Sequence, residues 1–438
     1  MLSAVSGRVP ILKSPLLRQL ESAGVRTGGR TGYAEKMMSA ILNHFRIDQG
    51  RSLHVLTLTP FYPSDRDDAS GCFISEPLDV LAGEAMRNTV VAVQPAYRPR
   101  LRARASTVPA QWLRYWALPG GVGLPFAGAF LFARIVARVR ELNRVQPIDL
   151  IHAHAPLPCG HAAMLLSREL NIPYVVSVHG LDAFSTLQVT GKSGEWCRRI
   201  SQRVYRSASQ VICVSEHVRE QVLAGAGGNC CTAVVYNGVD PALFFPASDK
   251  APASSDANPL LILSIGNLIP IKGHEHLIRA ASSLASEFPS LRWEIIGDGP
   301  ERRRLQVLAD ELQVSGRVRF LGRQSRNQVA EALRRCTIFV LPSRYEALGC
   351  VYLEAMSTGK PAIGCRNQGI AEVIQHGWNG LLVDPDNQEE LAKSISTLLR
   401  DEPGRRKMGT AARNTILERF TLAHQADTLA RVYRECVA

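Results

Sequence analysis

Cysteine is scarce in this sequence, and its spacing fits no known scaffold. The 438 residues contain 10 Cys, too few for a small disulfide-rich domain. None of them forms the C-x-x-C pair of a structural zinc site, and Cys230 and Cys231 are adjacent. We therefore expect free thiols in a reducing, cytoplasmic compartment.

Long apolar runs are also nearly absent. The first residues lack an apolar core and carry Arg8, Lys13 and Arg18, so we expect no signal peptide. An uncharged stretch at residues 117–133 holds two Pro and four Gly. It is shorter than the roughly 20 residues that cross a bilayer. We interpret it as a glycine-rich loop that leads into a buried helix rather than as a transmembrane span.

Aromatic residues make up only 6% of the chain, and charged residues 21%. Hydrophobic residues reach 46%, a proportion typical of a soluble globular protein. This mixture excludes a disordered chain, and the lack of a Gly or Pro period excludes collagen. The length predicts two or three domains.

Negative charge is in the minority, especially in the first half of the chain. The net charge is +12, and residues 1–240 contain 26 Lys and Arg against 17 Asp and Glu. We expect this half to face an anionic partner or a membrane surface. The clearest cluster contains arginines and aromatic residues: Arg98, Arg100, Arg102, Arg104, Trp112, Tyr115 and Trp116. It suits an anionic lipid interface; nucleic-acid binding and a solvated loop are the alternatives.

Short apolar runs alternate with helical stretches along most of the chain. The runs lie at residues 53–59, 148–154, 174–180, 210–215, 260–266, 291–297, 318–322, 337–342 and 361–365. Continuous apolar strands alternating with helices predict parallel sheets that are covered on both faces. We therefore predict an α/β protein with two doubly wound, Rossmann-like domains that face each other across a central cleft, where ligands bind at the carboxyl ends of the strands.

The composition also suggests where the domains begin and end. The segment before residue 260 is rich in Pro, Ser, Ala and Asp, as linkers are. The predicted division is a helical extension at 1–50, a first domain at 51–244, a linker at 245–259, a second domain at 260–420, and a helix at 421–438 that packs back on the first domain.

The segment from Pro342 to Pro361 carries the strongest chemical signal. Glu346 lies in a loop after a strand, and Glu354 lies inside a helix expected to start near Leu348. Gly349 leaves the amides of the first turn uncovered, and such amides bind phosphate. Carboxylates accept hydrogen bonds from adjacent sugar hydroxyls. The structural alternative is a solvated Glu beside an ordinary helix start.

A second glycine turn precedes Lys272. Gly266 ends a strand, and Lys272 with Gly273 precedes a helix. A lysine there can meet a diphosphate as a point charge, although the P-loop pattern itself is absent. An exposed lysine capping a loop is the alternative.

Histidines mark the cleft side of the first domain. His179 follows a strand, where its ring could donate to a hydroxyl or accept a proton near neutral pH. His152, His154 and His161 invite a metal interpretation, but no matched carboxylate or Cys ligands accompany them. We therefore predict no metal site and interpret the two D-x-D segments, at 65–67 and 384–386, as turns.

As an ordered set, these motifs resemble glycosyltransferase family 4, the retaining GT-B enzymes. The E-x7-E signature matches Glu346 and Glu354, followed by GKP. Further matches, in order along the chain, are HGLD at 179–182, NGVD at 237–240 with Phe244, G-x5-KG at 266–273, GDGPER at 297–302 and GIAEVI at 369–374. The resemblance covers about residues 53–420. Its finer pattern is similar to the branch that builds cell-surface polysaccharides such as teichuronic acid.

The resemblance implies roles for individual residues. Glu346 contacts the donor sugar, Lys272 neutralises the diphosphate leaving group, and His179 touches the donor sugar or the acceptor. The residues implied in donor binding are Gly71, Gly266, Asn267, Leu348, Gly349, Cys350 and Glu354, the last on the ribose hydroxyls. One departure is Asn267, which stands where the family often has Arg and removes a positive charge.

The implied reaction transfers a hexose or N-acetylhexosamine from a UDP- or GDP-sugar to a glycan or lipid-linked acceptor, with retention and without a metal or other cofactor. The implied location is the cytoplasm or the inner face of the plasma membrane, and no nucleic-acid partner is expected. A sugar-nucleotide epimerase of similar shape and a nonenzymatic basic protein binding membrane or nucleic acid remain as alternatives.

Overall fold

The computed structural model describes residues 52–65, 67–82, 86–102, 107–119, 121–183, 189–247 and 260–438. The predicted helical extension at 1–50, most of the predicted linker and Arg104 lie outside these residues. The two sheets described below belong to one compact unit, Ser52–Val437.

Parallel strands of the first half form one sheet, which has seven members among the described residues. The strands are β1 (Leu53–Thr59), β2 (Met86–Pro95), β3 (Ala110–Tyr115), β4 (Leu150–His154), β5 (Tyr174–Val178), β6 (Gln210–Cys213) and β7 (Thr232–Val234). Their spatial order is β3-β2-β1-β4-β5-β6-β7. At the centre, Thr57 of β1 lies opposite Val90 of β2 and His152 of β4.

Five helices of the described first half cover this sheet. They are α1 (Cys72–Ala82), α2 (Leu124–Val145), α3 (His161–Leu170), α4 (Gly191–Ser207) and α5 (Glu216–Ala226). The strand order reverses between β1 and β4, so the loops after these strands open a crevice at their carboxyl ends.

The second sheet repeats this design with six parallel strands among the described residues. They are β8 (Leu261–Ile265), β9 (Arg292–Ile296), β10 (Val318–Gly322), β11 (Ile338–Val340), β12 (Ala362–Cys365) and β13 (Gly380–Val383), in the order β10-β9-β8-β11-β12-β13. The accompanying helices are α6 (His274–Ser283), α7 (Arg302–Glu311), α8 (Arg326–Arg335), α9 (Cys350–Ser357), α10 (Gln388–Arg400), α11 (Glu402–Arg419) and α12 (Leu422–Val437). The prediction of two doubly wound α/β domains is confirmed.

The last helix, α12, packs against the first domain. Its buried residues Leu429 and Tyr433 share a hydrophobic cluster with Ile74 and Leu78 of α1. The crossing point is tight, because a Cβ on Gly238 would lie 2.3 Å from the carbonyl oxygen of Thr421. The chain therefore ends its second domain with a helix that completes the core of the first.

The uncharged stretch at 117–133 is predicted to be a glycine-rich loop that leads into a buried helix. In the structure it contains the short turn Gly121–Gly123 and the first residues of α2. Within the described residues, Gly121–Val145 is the one helix long and apolar enough to cross a membrane, by length and composition only. That is weak evidence, because a core helix passes the same test. Leu131, Ile135 and Val139 of α2 are indeed buried in the core of the first domain.

Candidate active site

Three loops of the second domain pack against each other at the carboxyl ends of β8, β9 and β11. Gly273 has φ +68°, and a Cβ there would lie 2.0 Å from the carbonyl oxygen of Pro342. Gly297 has φ +137°, and its Cβ would lie 1.9 Å from the carbonyl oxygen of Gly266. Only glycine permits both contacts. These glycines thus bring the loop bearing Lys272 beside the loop bearing Glu346.

Lys272 and Glu346 meet at the centre of this arrangement. Lys272 ends the short turn Pro270–Lys272, and its Nζ lies 2.6 Å from Glu346 Oε2. The two side chains are only 19% and 11% exposed. A buried ammonium and carboxylate in contact form a strong charge-assisted hydrogen bond. The two residues singled out from separate motifs therefore form one site.

The backbone of Glu346 is held from both sides. Its N–H donates to Gln368 Oε1 at 3.0 Å, and its carbonyl accepts from the N–H of Gly369 at 2.9 Å. A Cβ on Gly369 would lie 1.7 Å from the carbonyl oxygen of Ala347. The segment after β12 therefore fixes the direction of the Glu346 side chain.

Helix α9 begins beside this loop, two residues later than predicted. Gly349 has φ +86°, which is outside the helical region, so Cys350 is the first helical residue. Leu348 is buried, and Cys350 Sγ accepts a hydrogen bond from Asn237 Nδ2 of the first domain at 3.3 Å. Burial raises the pKa of the Cys350 thiol to about 12, so this group is a neutral packing residue.

Glu354, one turn further along α9, is paired with a residue that the sequence motifs did not indicate. Its Oε1 forms a short contact with the guanidinium of Arg326, in α8. Arg326 also binds Glu76 of the first domain through two oxygens, at 2.8 and 3.0 Å. Glu354, the carboxylate expected to bind the ribose hydroxyls, is thus connected to Glu76 of the first domain through Arg326.

The first domain approaches the Glu346 loop very closely. Gly180 has φ +123°, and a Cβ there would lie 2.6 Å from the Cβ of Ala347. Ser215 Oγ donates to the carbonyl of Ala347 at 2.5 Å. Since Gly180 follows His179, and Ala347 follows Glu346, the two predicted catalytic positions flank one interdomain contact.

His179 belongs to a buried group of histidines. Its Nε2 lies 3.0 Å from His154 Nδ1, and its ring contacts Phe73. His152 Nδ1 forms a hydrogen bond with Tyr433 Oη, 2.6 Å away. The sequence placed His161 with His152 and His154, but in the structure His179 joins them instead.

Desolvation lowers the pKa of His179 to about 3. The ring is therefore neutral at pH 7, which contradicts the expectation that it could accept a proton near neutral pH. Its Nδ1 has no partner among the described residues. Hydrogen bonding to a hydroxyl is the role that fits this environment.

Asp182 is a further titratable group at this edge that motif reasoning missed as a site residue. Its Oδ1 accepts from the backbone N–H of His179 at 2.9 Å. Burial raises the pKa of Asp182 to about 7, although backbone hydrogen bonds oppose the shift. Its other oxygen has no partner in the described part of the chain.

Glu372 forms a second link between the domains. Its carboxylate accepts from the backbone N–H groups of Glu216 and His217 at 2.9 and 2.7 Å, and from Tyr236 Oη at 2.9 Å. Ser215 Oγ accepts from the next amide of α5, that of Val218. The first three amides of this helix are therefore satisfied, two of them by the other domain.

Gly71, Gly266 and Asn267 lie on the borders of the cleft. Gly71 has φ +79°, precedes α1, and would place a Cβ 2.5 Å from the backbone nitrogen of Tyr62. The adjoining cavity of about 380 Å³ is lined from the first domain by Cys72 and Glu76 and from the second by Arg326. Gly266 is half-buried and Asn267 is exposed after β8.

The structure also bears on two other predictions, the surface of arginines and aromatic residues and the lack of a metal site. Tyr115 does not belong to the surface predicted for the arginines and aromatic residues, because it points into the core and is 4% exposed, whereas Trp116 is 58% exposed. Within the described residues, no group of His, Cys, Asp and Glu is arranged to hold a metal ion.

Comparison with known proteins supplies the class. The model of the group 1 glycosyltransferases matches residues 247–415, and that of glycosyltransferase family 4 matches residues 81–243. The chain belongs to this family of glycosyltransferases. This result supports a transferase over the alternatives left open by the sequence.

Individual relatives differ in their substrates. N-acetyl-alpha-D-glucosaminyl L-malate synthase of Bacillus anthracis is 30% identical over 65% of this chain and 74% of its own length. Alpha-D-kanosaminyltransferase of Streptomyces kanamyceticus is 28% identical over 82% of this chain and 97% of its own length.

Solved structures share the fold. Sucrose-phosphate synthase of Thermosynechococcus elongatus has a TM-score of 0.71 at 20% identity, with 87% of this chain and 98% of that chain covered. HepE of Anabaena, in complex with UDP-glucose, has a TM-score of 0.67 at 22% identity, with 86% and 98% covered. The fold is therefore GT-B, the two-domain architecture of these glycosyltransferases.

Proposed function

We propose that this chain is a retaining glycosyltransferase that moves a hexose or N-acetylhexosamine from a UDP- or GDP-sugar to a hydroxyl of a glycan or lipid-linked acceptor. The observation that carries the proposal is the 2.6 Å contact between Lys272 Nζ and Glu346 Oε2, beside the first turn of α9. It joins one cation, one carboxylate and free amides at the edge of the cleft.

The chemistry follows from where charge develops. As the bond between sugar and phosphate breaks, the anomeric carbon becomes positive and the diphosphate gains negative charge. Lys272 and the amides after Gly349 stabilise the leaving group, and Glu346 lies where it can contact the sugar. The acceptor hydroxyl attacks from the face that the diphosphate leaves, and the leaving oxygen takes the proton. This route preserves the configuration and assigns no role to a metal.

Domain closure excludes water from the reaction. The contacts of Gly180 and Ser215 with Ala347 bring the neutral His179 to the sugar side of the cleft. Its ring donates a hydrogen bond to a donor or acceptor hydroxyl. Glu354 binds the ribose hydroxyls and shares its carboxylate with Arg326.

We further propose that the product belongs to a cell-surface polysaccharide, as in the teichuronic-acid branch that the motif pattern resembles. The enzyme then works in the cytoplasm or at the inner face of the plasma membrane. The excess of basic residues in the first half supports contact with an anionic surface.

The direct test is a panel of UDP- and GDP-sugars with soluble and lipid-linked acceptors, read by nucleotide release and by product anomer. We expect Glu346→Gln to abolish transfer in a folded protein. We expect Lys272→Ala to weaken nucleotide binding several-fold to about a hundredfold, the range for one charge-assisted contact. Lys393→Ala, an exposed lysine on α10, is the matched control.

Three outcomes would contradict the proposal. They are wild-type turnover by Glu346→Gln, unchanged nucleotide affinity of Lys272→Ala, and conversion of the donor to an isomerised sugar when no acceptor is present. The last result would favour an epimerase.

A further inference from the structure

A groove at the outer edge of the first domain lies away from the Lys272 and Glu346 pair. It has a volume of about 710 Å³, which is within the usual range for small-molecule sites. Its walls come from β2, the edge strand β3, the segment after β2, and helix α2. Its polar lining residues are Asp65, Gln94, Arg100, Arg102, Gln111, Arg114, Arg134 and Arg138.

The charge of this groove is strongly unbalanced. Five arginines line it, against the single carboxylate of Asp65. Among the described residues, none of these arginines forms an ion pair with a carboxylate. Arg138 donates to the neutral amide of Gln111 at 2.6 Å instead. Unpaired guanidinium groups gathered in one concavity attract an anion and match phosphate geometry.

Two buried donors in the same groove also lack partners. Trp112 Nε1 and Arg114 Nε are inaccessible to solvent and have no hydrogen-bond acceptor in the part of the chain that the structure describes. Buried donors are normally satisfied, so such exceptions need an explanation. Both atoms are closed to solvent, so a ligand oxygen reaches them only if the wall of the groove moves.

An exposed apolar patch adjoins the groove. It consists of large side chains from the segment between β3 and α2, from the start of α2 and from α4, with these exposed fractions: Trp116 58%, Leu118 42%, Val122 67%, Phe126 39% and Trp196 47%. The Trp196 and Phe126 rings lie 4.6 Å apart, so the two helices form one surface. A contiguous patch of this kind marks a binding surface rather than scattered exposure.

The patch and the groove are continuous along one side of α2. Phe126, Phe130, Arg134 and Arg138 follow each other at intervals of four residues, so each lies about one turn beyond the last. The Phe130 ring also contacts Trp116, 4.8 Å away, and Trp116 is two residues beyond Arg114. A molecule of moderate length can therefore touch the aromatic residues and the arginines together.

We infer that this face binds an amphiphilic acceptor, a phosphate-bearing lipid whose phosphate lies in the arginine groove and whose hydrocarbon chain lies on the aromatic patch. This inference makes the proposed function more specific, and the role of the lipid as the acceptor rests on that function. The hydrocarbon chain covers the apolar patch and the phosphate pairs with the arginines, whereas a neutral lipid would leave the arginines without an anion.

The groove is connected to the reaction cleft by the loop after β1. Asp65 lines the groove and forms two backbone-linked hydrogen bonds with Arg102, each 3.1 Å long. Asp68, in the same loop, lines the interdomain cavity together with Arg326. A lipid-linked glycan anchored by its phosphate thus has a short path for its sugar end into the cleft.

The test measures binding of three probes to the full chain by calorimetry, in the presence of excess UDP so that the donor site is occupied. The probes are farnesyl diphosphate, which has both chain and diphosphate, inorganic pyrophosphate and farnesol. We expect farnesyl diphosphate to bind at least tenfold more tightly than either of the other two. Equal affinity for pyrophosphate and farnesyl diphosphate would refute the inference that the ligand is an amphiphile. The absence of any binding of farnesyl diphosphate would refute it as well.

Variants separate the two halves of the site. Replacing Arg134 and Arg138 together by Gln should weaken farnesyl diphosphate and pyrophosphate binding by tenfold or more. Replacing Arg140 and Arg144 by Gln removes the same charge from the same helix outside the groove and should have little effect. An equal loss in both double variants would reduce the groove to a general field of positive charge and would overturn the inference.

The aromatic half has its own variant. Phe126→Ser with Trp196→Ser should weaken farnesyl diphosphate but leave pyrophosphate binding unchanged, whereas a loss of both would indicate a folding defect and refute the division of roles. Affinity for UDP should be the same in every variant. Failure to bind UDP at all would instead count against the proposed function, so the two ideas fail separately.

Discussion

The carboxylate of Glu372 is expected to hold the two domains together, and its removal should cost measurable stability. It accepts two backbone N–H groups at the start of α5 and the hydroxyl of Tyr236, all from the other domain. Hydrogen bonds to a charged group contribute about 1.5–3 kcal/mol each when buried, but this helix start is partly exposed. We therefore expect Glu372→Ala to lower the free energy of unfolding by about 2–4 kcal/mol.

Glu372→Gln separates the charge from the shape of the side chain. It keeps one acceptor oxygen but loses the favourable interaction of a negative charge with the helix N-terminus, so a loss of about 1 kcal/mol is expected. The assay is urea unfolding followed by circular dichroism and by tryptophan fluorescence. Because the contact joins the domains, we expect the two probes to give one coincident transition for the parent protein and two separate transitions for the Ala variant.

An exposed glutamate in the same domain provides the control. Glu418→Ala, near the end of α11, should leave the unfolding midpoint unchanged, because that side chain is exposed. Losses of equal size at positions 372 and 418, or a loss below about 0.5 kcal/mol for Glu372→Ala, would refute the reasoning, since surface substitutions typically fall within that limit.

Burial lowers the pKa of His152 to about 3 and that of His274 to about 4. In the unfolded chain both histidines bind a proton near pH 6.5, so their contribution to the free energy of unfolding should be complete above that pH. Between pH 6.5 and pH 4, each histidine should lower the free energy of unfolding by up to about 1.4 kcal/mol for each pH unit. An equal urea midpoint at pH 7 and pH 5 would contradict this. Tyr433→Phe should cost about 1 kcal/mol in the same urea assay, because it removes the hydrogen bond to His152, and a neutral result would show that the bond contributes nothing. Gly273→Ala should weaken nucleotide binding, measured by calorimetry, because the new Cβ would lie 2.0 Å from a carbonyl oxygen. Gly228→Ala is the control, because Gly228 has a similar φ but no neighbour within 4 Å of an added Cβ. Similar nucleotide affinity in both variants would argue against the role of the turn at Gly273.

The central strands were predictable because their apolar runs are continuous. The run at 53–59 is β1 itself, and the run at 260–266 contains β8. The strands that were missed are peripheral. β2 has the polar Arg87 and Asn88 directly after its first residue, and β3, at the edge of the sheet, mixes polar and apolar residues. Their pairing comes from the sheet rather than from their own composition.

The residues of the candidate site could be predicted only where they belong to a recognisable sequence motif. Lys272 and Glu346 were recognised from separate segments, and their contact follows from the close approach of loops at Gly273 and Gly297, at the carboxyl ends of parallel strands. Arg326 could not be found in this way, because an isolated arginine at a helix start has no local signature. Its partner Glu76 is 250 residues away in the chain.

The neutral state of His179 also escaped the sequence. Titration depends on burial and on neighbouring rings, and neither can be read from a strand end. One of the rings in contact with it, that of His154, belongs to the adjacent strand β4.

The close approach of Gly180 to Ala347 limits how this enzyme can be rebuilt from parts. A side chain larger than hydrogen at position 180 has room only if the facing loop retreats, and that loop also receives the hydrogen bond of Ser215. A chimera that takes one half from a relative with different acceptor preference must therefore exchange positions 180, 215 and 347 as a set. Homologous recombination at the linker alone would combine halves whose surfaces collide.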